Sequence, residues 1–258
     1  MSQRIAQDVR AERALPLGAR RITLDFGLER DTERVPAILL LPAGASAERR
    51  VPGVVLLHGY SSHKEQMAGS IGRVLLRHGI GSLAIDLPLH GERAGHDGGM
   101  SSAEFRNPLA LAKRWRAAMN EARVALRFLA ERDEVDASRL AIVGYSMGSF
   151  LGVLIAAEER KVRALVLAAG GDLPSGTPFE RLVRTLADPL RAIRHYAGRP
   201  LLMVHGRRDR TVTPEQAERL FAAAGEPKTL RWWEAGHYLP DAAIDDAAEW
   251  LRGVMRSA

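Results

Sequence analysis

The chain has 258 residues, 46% hydrophobic and 26% charged, the balance of a globular protein large enough to bury a core without covalent staples. Cysteine is absent, which excludes disulfide scaffolds, thiolate zinc sites and a cysteine nucleophile. Basic residues outnumber acidic ones, 37 to 31, for a net charge of +6 and an isoelectric point near 10.1. However, 33 of them are arginines scattered through the chain, without the dense run that a nucleic-acid binder presents.

The first twenty residues scatter Ile5, Val9, Leu15 and Leu17 among charges without a long apolar run, so no signal-peptide core is read there. The apolar runs at 37–41 and 54–57 are too short to cross a bilayer. A cytoplasmic protein without a membrane partner is expected, as one domain over 1–258. Runs at 21–26 and 35–41, split by a polar turn, read as an antiparallel hairpin. Residues 54–57 form a continuous apolar run, the mark of a strand buried on both faces. Helical spacing follows over 66–78, with Gly79 as its stop, and then a strand over 80–87. Asn107-Pro108 opens a helix that places Trp115, Met119, Ala122, Leu126 and Leu129 on one face. Strands at 139–144, 162–168, 200–204 and 228–233 then alternate with helices at 147–159, from Pro214 to about Ala224, and at 242–255. Repeated strand–helix alternation demands a mostly parallel sheet, here of eight strands, with helices on both faces. Residues 170–199 are richer in Gly and Pro with one helical stretch at 179–195, and read as a short lid insertion.

Gly144-Tyr145-Ser146-Met147-Gly148 follows an apolar strand and opens an apolar helix. This is the strand–turn–helix setting of a nucleophile elbow, where small flanking residues let the serine stand exposed on a sharp turn. A serine hydroxyl needs a base. Of eight histidines, His237 lies just after the last strand, at the same carboxyl end as Ser146. A third group should orient the imidazole. Asp209 follows the 200–204 strand and is preferred for its short loop; Asp172, after the preceding strand in Gly170-Gly171-Asp172, is the competitor. The order Ser146, Asp209, His237 matches the nucleophile–acid–base order that goes with the elbow. The amide of Met147, directly after the nucleophile, is the first oxyanion donor.

These motifs give the chain a resemblance to the α/β-hydrolases from about residue 20 to its end. His58-Gly59-Tyr60 resembles the oxyanion-loop motif of that family, and Asp209-x-x-Val212-x-Pro214 and Gly236-His237 its acid and histidine loops. The segments His58-Gly59-Tyr60-Ser61-Ser62-His63-Lys64-Glu65 and Asp86-Leu87-Pro88-Leu89-His90-Gly91-Glu92-Arg93 are similar to small bacterial carboxylesterases near the dienelactone-hydrolase and prolyl-oligopeptidase branches. The resemblance implies an α/β-hydrolase fold, a second oxyanion donor at the Tyr60 amide, and a carboxylesterase acting on small acyl esters. A peptidase or amidase and a non-catalytic hydrolase-fold binding protein are the alternatives. The cysteine nucleophile of dienelactone hydrolase proper is missing. A loop brace of Asp86, Glu92 and Arg93 is expected from the pairing of charges in such loops. No nucleotide-binding or metal-binding motif is present, so no cofactor and no metal are expected.

Overall fold

The computed structural model describes residues 4–29, 31, 33–94, 108–176, 184, 185 and 187–256. The chain forms two compact units, Met1–Ala137 and Ser138–Ala258.

In the first unit, β1 (Ile5–Ala14), β2 (Arg20–Leu28) and β3 (Val35–Leu41) run antiparallel. β3 pairs antiparallel with β5 (Gly81–Ile85), which pairs parallel with β4 (Val51–Leu57). β2 to β5 are largely buried, as their apolar runs require. β1 lies outside the eight expected strands and corrects the count to nine among the described residues. Its sequence is polar and mostly exposed because it lies at an edge. The backbone ladder to β2 holds it, and Arg10 pairs with Asp25 at 3.1 Å and with Glu92 at 2.6 Å. The helix expected over 66–78 comprises α1 (Lys64–Met67), a π-helical stretch (Ala68–Gly72) and α2 (Arg73–Arg77), with Gly79 at φ +74° beyond it. The long helix α3 (Pro108–Ala130) packs on β4 and stacks Phe128 on Phe26 at 5.2 Å. Asn107, its expected cap, lies outside the described residues.

In the second unit, β6 (Val135–Tyr145), β7 (Val162–Ala168), β8 (Leu201–Gly206) and β9 (Lys228–Trp233) pair in that order, all parallel. α4 (Met147–Glu158) is buried nearly all round, which fits its Gly, Leu, Val and Ala content. Of the 170–199 segment, 177–183 and 186 lie outside the described residues, including part of the helix expected at 179–195. Its described helix, α5 (Pro189–His195), starts on Asp188, whose carboxylate accepts from Leu190 N–H at 3.0 Å. It buries Pro189, Ala192 and Ile193 against α4 and α6 (Pro214–Ala223). Thr213 caps α6, its N–H donating to Gln216 Oε1 at 2.9 Å. α7 (Asp241–Arg256) closes the unit on Ala243, Ala248, Leu251 and Met255. Among the described residues no helix is long and apolar enough to cross a membrane.

Candidate active site

The turn from β6 into α4 carries Ser146 at φ +52° and ψ −114°, a conformation that costs energy for any residue but glycine. Neighbouring contacts hold it there. Ser146 N–H donates to Ala168 O at 2.9 Å, and the Ser149 hydroxyl, which has one proton to give, bridges the carbonyls of Gly144 (2.7 Å) and Ala168 (2.9 Å). Gly144 is required by close approach: a Cβ there would stand 2.3 Å from Gly148 O. Ser146 is the N-terminal cap position of α4, so the Met147 amide is among those a helix start leaves without an intrahelical acceptor. The positive end of the helix dipole lies at the same point.

Asp209 and His237 reach Ser146 from the loops after β8 and β9. The two loops are zipped together by backbone. Arg207 N–H donates to Trp233 O and Arg208 N–H to Ala235 O, both at 2.9 Å. The Arg208 guanidinium adds a bond to Glu234 O at 2.6 Å. A Cβ on Gly206 would meet Gly236 O at 2.2 Å, so only glycine lets the loops approach this closely. Asp209 is buried, and its Oδ1 accepts from Thr211 N–H (2.8 Å) and Val212 N–H (3.1 Å). Its Oδ2 lies 2.8 Å from His237 Nδ1, and His237 Nε2 lies 3.0 Å from Ser146 Oγ. A carboxylate only accepts, so Nδ1 carries the imidazole proton and the Nε2 lone pair faces the serine hydroxyl. The structure thus brings Ser146, His237 and Asp209 into one hydrogen-bonded chain.

Asp172, the competing acid, is buried to the same degree but occupied elsewhere. Arg184 donates to both its oxygens, at 2.9 and 3.0 Å, and Arg219 Nε to Oδ2 at 3.0 Å. Burial pushes the Asp172 carboxyl up, and the two guanidiniums outweigh it, holding the carboxyl below its ordinary value. His205 is fully buried, and burial lowers its pKa. Its Nε2–H donates to Val212 O at 2.9 Å and stands 3.6 Å from Asp209, too far for a hydrogen bond, so it braces the acid loop.

Tyr60 belongs to the first unit, exposed on the turn after β4 with its ring edge-on to His90 at 5.4 Å. In that unit His58 is fully buried. Its Nδ1–H donates to Gly59 O at 2.7 Å and its Nε2 accepts from Leu87 N–H at 3.0 Å, tying the loop after β4 to the loop after β5. Burial lowers its pKa to about 4, so the ring is neutral and able to accept. The expected brace is present with a different membership. The Asp86 carboxylate accepts from the Lys64 N–H and Nζ, both at 2.8 Å, and from Glu92 N–H at 3.0 Å. The Glu92 carboxylate takes Lys64 Nζ and Arg10. Arg93 instead reaches the Asp86 carbonyl at 3.2 Å and Glu121 at 2.6 Å. Sequence reasoning missed Lys64, since a lysine in a polar loop reads as solvated, yet its side chain is 2% exposed. It also missed Tyr145, whose partners lie on a loop far along the chain. Among the described residues no group of three His, Asp or Glu is placed to hold a metal ion.

The chain is similar to known proteins in sequence and in fold. Polyketide transferase ATR5 of Stachybotrys chlorohalonatus is 25% identical over 130 residues, 50% of this chain and 38% of that protein, so the match spans well under half of the relative. A cold-adapted esterase from an Arctic intertidal metagenomic library, solved bound to PEG, aligns with a TM-score of 0.70 at 23% identity over 98% of this chain and 99% of that one. Acetyl xylan esterase 1 from Thermoanaerobacterium aligns with a TM-score of 0.75 at 18% identity, over 98% and 89% of the two chains. Both alignments speak to the fold. Residues 54–250 match the model of the alpha/beta hydrolase family, and with that match spanning most of its length the chain belongs to this family.

Proposed function

We propose that the protein is a serine hydrolase cleaving carboxylic esters of small acyl groups. The observation that carries this reading is the pair of distances at His237, 3.0 Å to Ser146 Oγ and 2.8 Å to Asp209 Oδ2. A hydroxyl held at Nε2 loses its proton as it attacks a carbonyl, which turns a weak nucleophile into a competent one. In the proposed cycle Ser146 Oγ bonds to the ester carbonyl carbon while His237 takes its proton. The tetrahedral oxyanion is held by the Met147 amide and, by the family resemblance of His58-Gly59-Tyr60, by the Tyr60 amide. His237 then protonates the leaving alkoxide, and the C–O bond to the alcohol breaks. Water, deprotonated by His237, attacks the acyl-enzyme, and His237 returns the proton to Ser146 Oγ as its bond to the acyl carbon breaks and the acid leaves. Asp209 keeps the imidazole in its Nδ1–H tautomer and stabilises the imidazolium.

Structural neighbours named as esterases, one of them an acetyl ester hydrolase by its name, support the ester over the amide and the small acyl group over the large. The test is turnover of p-nitrophenyl esters of rising acyl length, with a p-nitroanilide beside them. The expected result is hydrolysis of acetate and butyrate, loss with long chains, and a fall of about 10⁴-fold or more in kcat for Ser146→Ala. Absence of ester turnover, or full turnover by Ser146→Ala, overturns the reading. Faster cleavage of the anilide than of the ester turns it to an amidase.

A further inference from the structure

We infer that Tyr145 is a positioning residue that fixes the base against the nucleophile, an inference that rests on the reading of Ser146 and His237 given above. Tyr145 is the residue immediately before Ser146, at the end of β6. Its hydroxyl lies 2.7 Å from His237 O and 2.9 Å from Leu239 N. A phenol has one proton, so the roles are forced: it donates to the His237 carbonyl and accepts from the Leu239 amide. Burial raises the hydroxyl above its ordinary pKa, with the Leu239 N–H opposing, which keeps the donated proton in place. The ring also meets the imidazole edge-on, 6.1 Å between centroids.

These two bonds bracket Tyr238, a residue 82% exposed whose ring meets the His237 imidazole edge-on at 5.9 Å between centroids. On the amino-terminal side of His237 the loop is held by the Arg208–Ala235 bond and the Gly206–Gly236 approach. On the carboxyl side Tyr145 supplies the tie. Because Tyr145 and Ser146 are adjacent in the chain, the tie links the backbone of the base directly to the strand that carries the nucleophile. The base is thereby tied to the nucleophile's own strand as well as to the acid loop. Asp209 sets the tautomer and direction of the ring, and Tyr145 sets the position of the backbone from which it hangs.

The test is Tyr145→Phe, which keeps the ring and removes both hydrogen bonds. With the best p-nitrophenyl ester, kcat is expected to fall roughly 10- to 100-fold, the loss that follows displacement of a reacting group by about 1 Å. KM should stay near the wild-type value, because the substrate meets the same surface. In proton NMR spectra, the downfield His237 Nδ1–H signal, identified by its loss in His237→Ala, should broaden or vanish in Tyr145→Phe while the melting curve stays close to wild type. Wild-type kcat together with an unchanged Nδ1–H signal overturns the inference. So does a rise in KM with kcat unchanged, which marks Tyr145 as a substrate contact. If the wild type hydrolyses no ester, the reading of Ser146 fails, and the NMR comparison still decides whether Tyr145 positions the imidazole.

Discussion

Two aspartates in the carboxyl-terminal unit stand in matching places. Asp172 follows β7 and Asp209 follows β8, and each is 3% exposed. Their partners set them apart. Asp172 takes three guanidinium N–H groups from Arg184 and Arg219, full positive charges that occupy both oxygens. Asp209 takes two neutral backbone N–H groups on Oδ1, which leaves Oδ2 to the His237 imidazole. A carboxylate already neutralised by arginine has little to offer a developing imidazolium. One solvated only by dipoles keeps its charge available. On the proposed reading, burial and position at a strand end do not set the acid apart; the charge of its neighbours does.

The largest expected break of this comparison is Asp209→Asn, which should lower kcat on p-nitrophenyl esters by about 10⁴-fold with little change in fold, since an amide presents the wrong tautomeric partner. Asp172→Asn, assayed in parallel, should keep kcat within a small factor of wild type. If the two variants exchange these outcomes, the assignment of roles is reversed. The next effect is on stability. Asp172→Asn takes from Arg184 and Arg219 the carboxylate they share, leaving Arg184 its weaker bond to Asp188 at 3.2 Å, and both guanidiniums reach solvent, so a loss of about 2 kcal/mol is expected in urea unfolding, below the range for fully buried pairs. The smallest effect is its pH dependence. The Asp172 carboxyl is held below its ordinary value of 3.8, so the folded state binds its proton less readily than the unfolded chain. Its contribution is complete above that value and disappears as pH falls through the lower folded one. The stability gap between wild type and Asp172→Asn should therefore narrow below about pH 4 and stay level above it. A gap that narrows only near neutrality would assign it to another group.

The same contrast shows what the sequence can carry. Strands 54–57 and 162–168 are legible because both faces are buried and the runs are apolar, apart from the exposed Arg163 near the start of the second. β1 was not, because an edge strand buries little; a backbone ladder and the Arg10 ion pairs hold it in place of an apolar pattern. The spacing of Gly144, Ser146 and Gly148 names the elbow, since the steric demand falls on neighbours in the chain. Asp209 and Asp172 could not be separated with the same force, because Arg184 and Arg219 converge on Asp172 only through the fold. Tyr145 and Lys64 were silent for that reason too: each acts on a loop that sequence distance hides.

The central claim is that Ser146 is a nucleophile made reactive by His237 and Asp209. A p-nitrophenyl alkylphosphonate measures this most directly, because it leaves a stable adduct on an activated serine. The account predicts one equivalent of p-nitrophenolate, one phosphonyl group in the intact mass, and that group on the peptide containing Ser146, with labelling lost in Ser146→Ala and slowed by orders of magnitude in Asp209→Asn. Equal labelling of wild type and Ser146→Ala, or an adduct on any other residue, would contradict it.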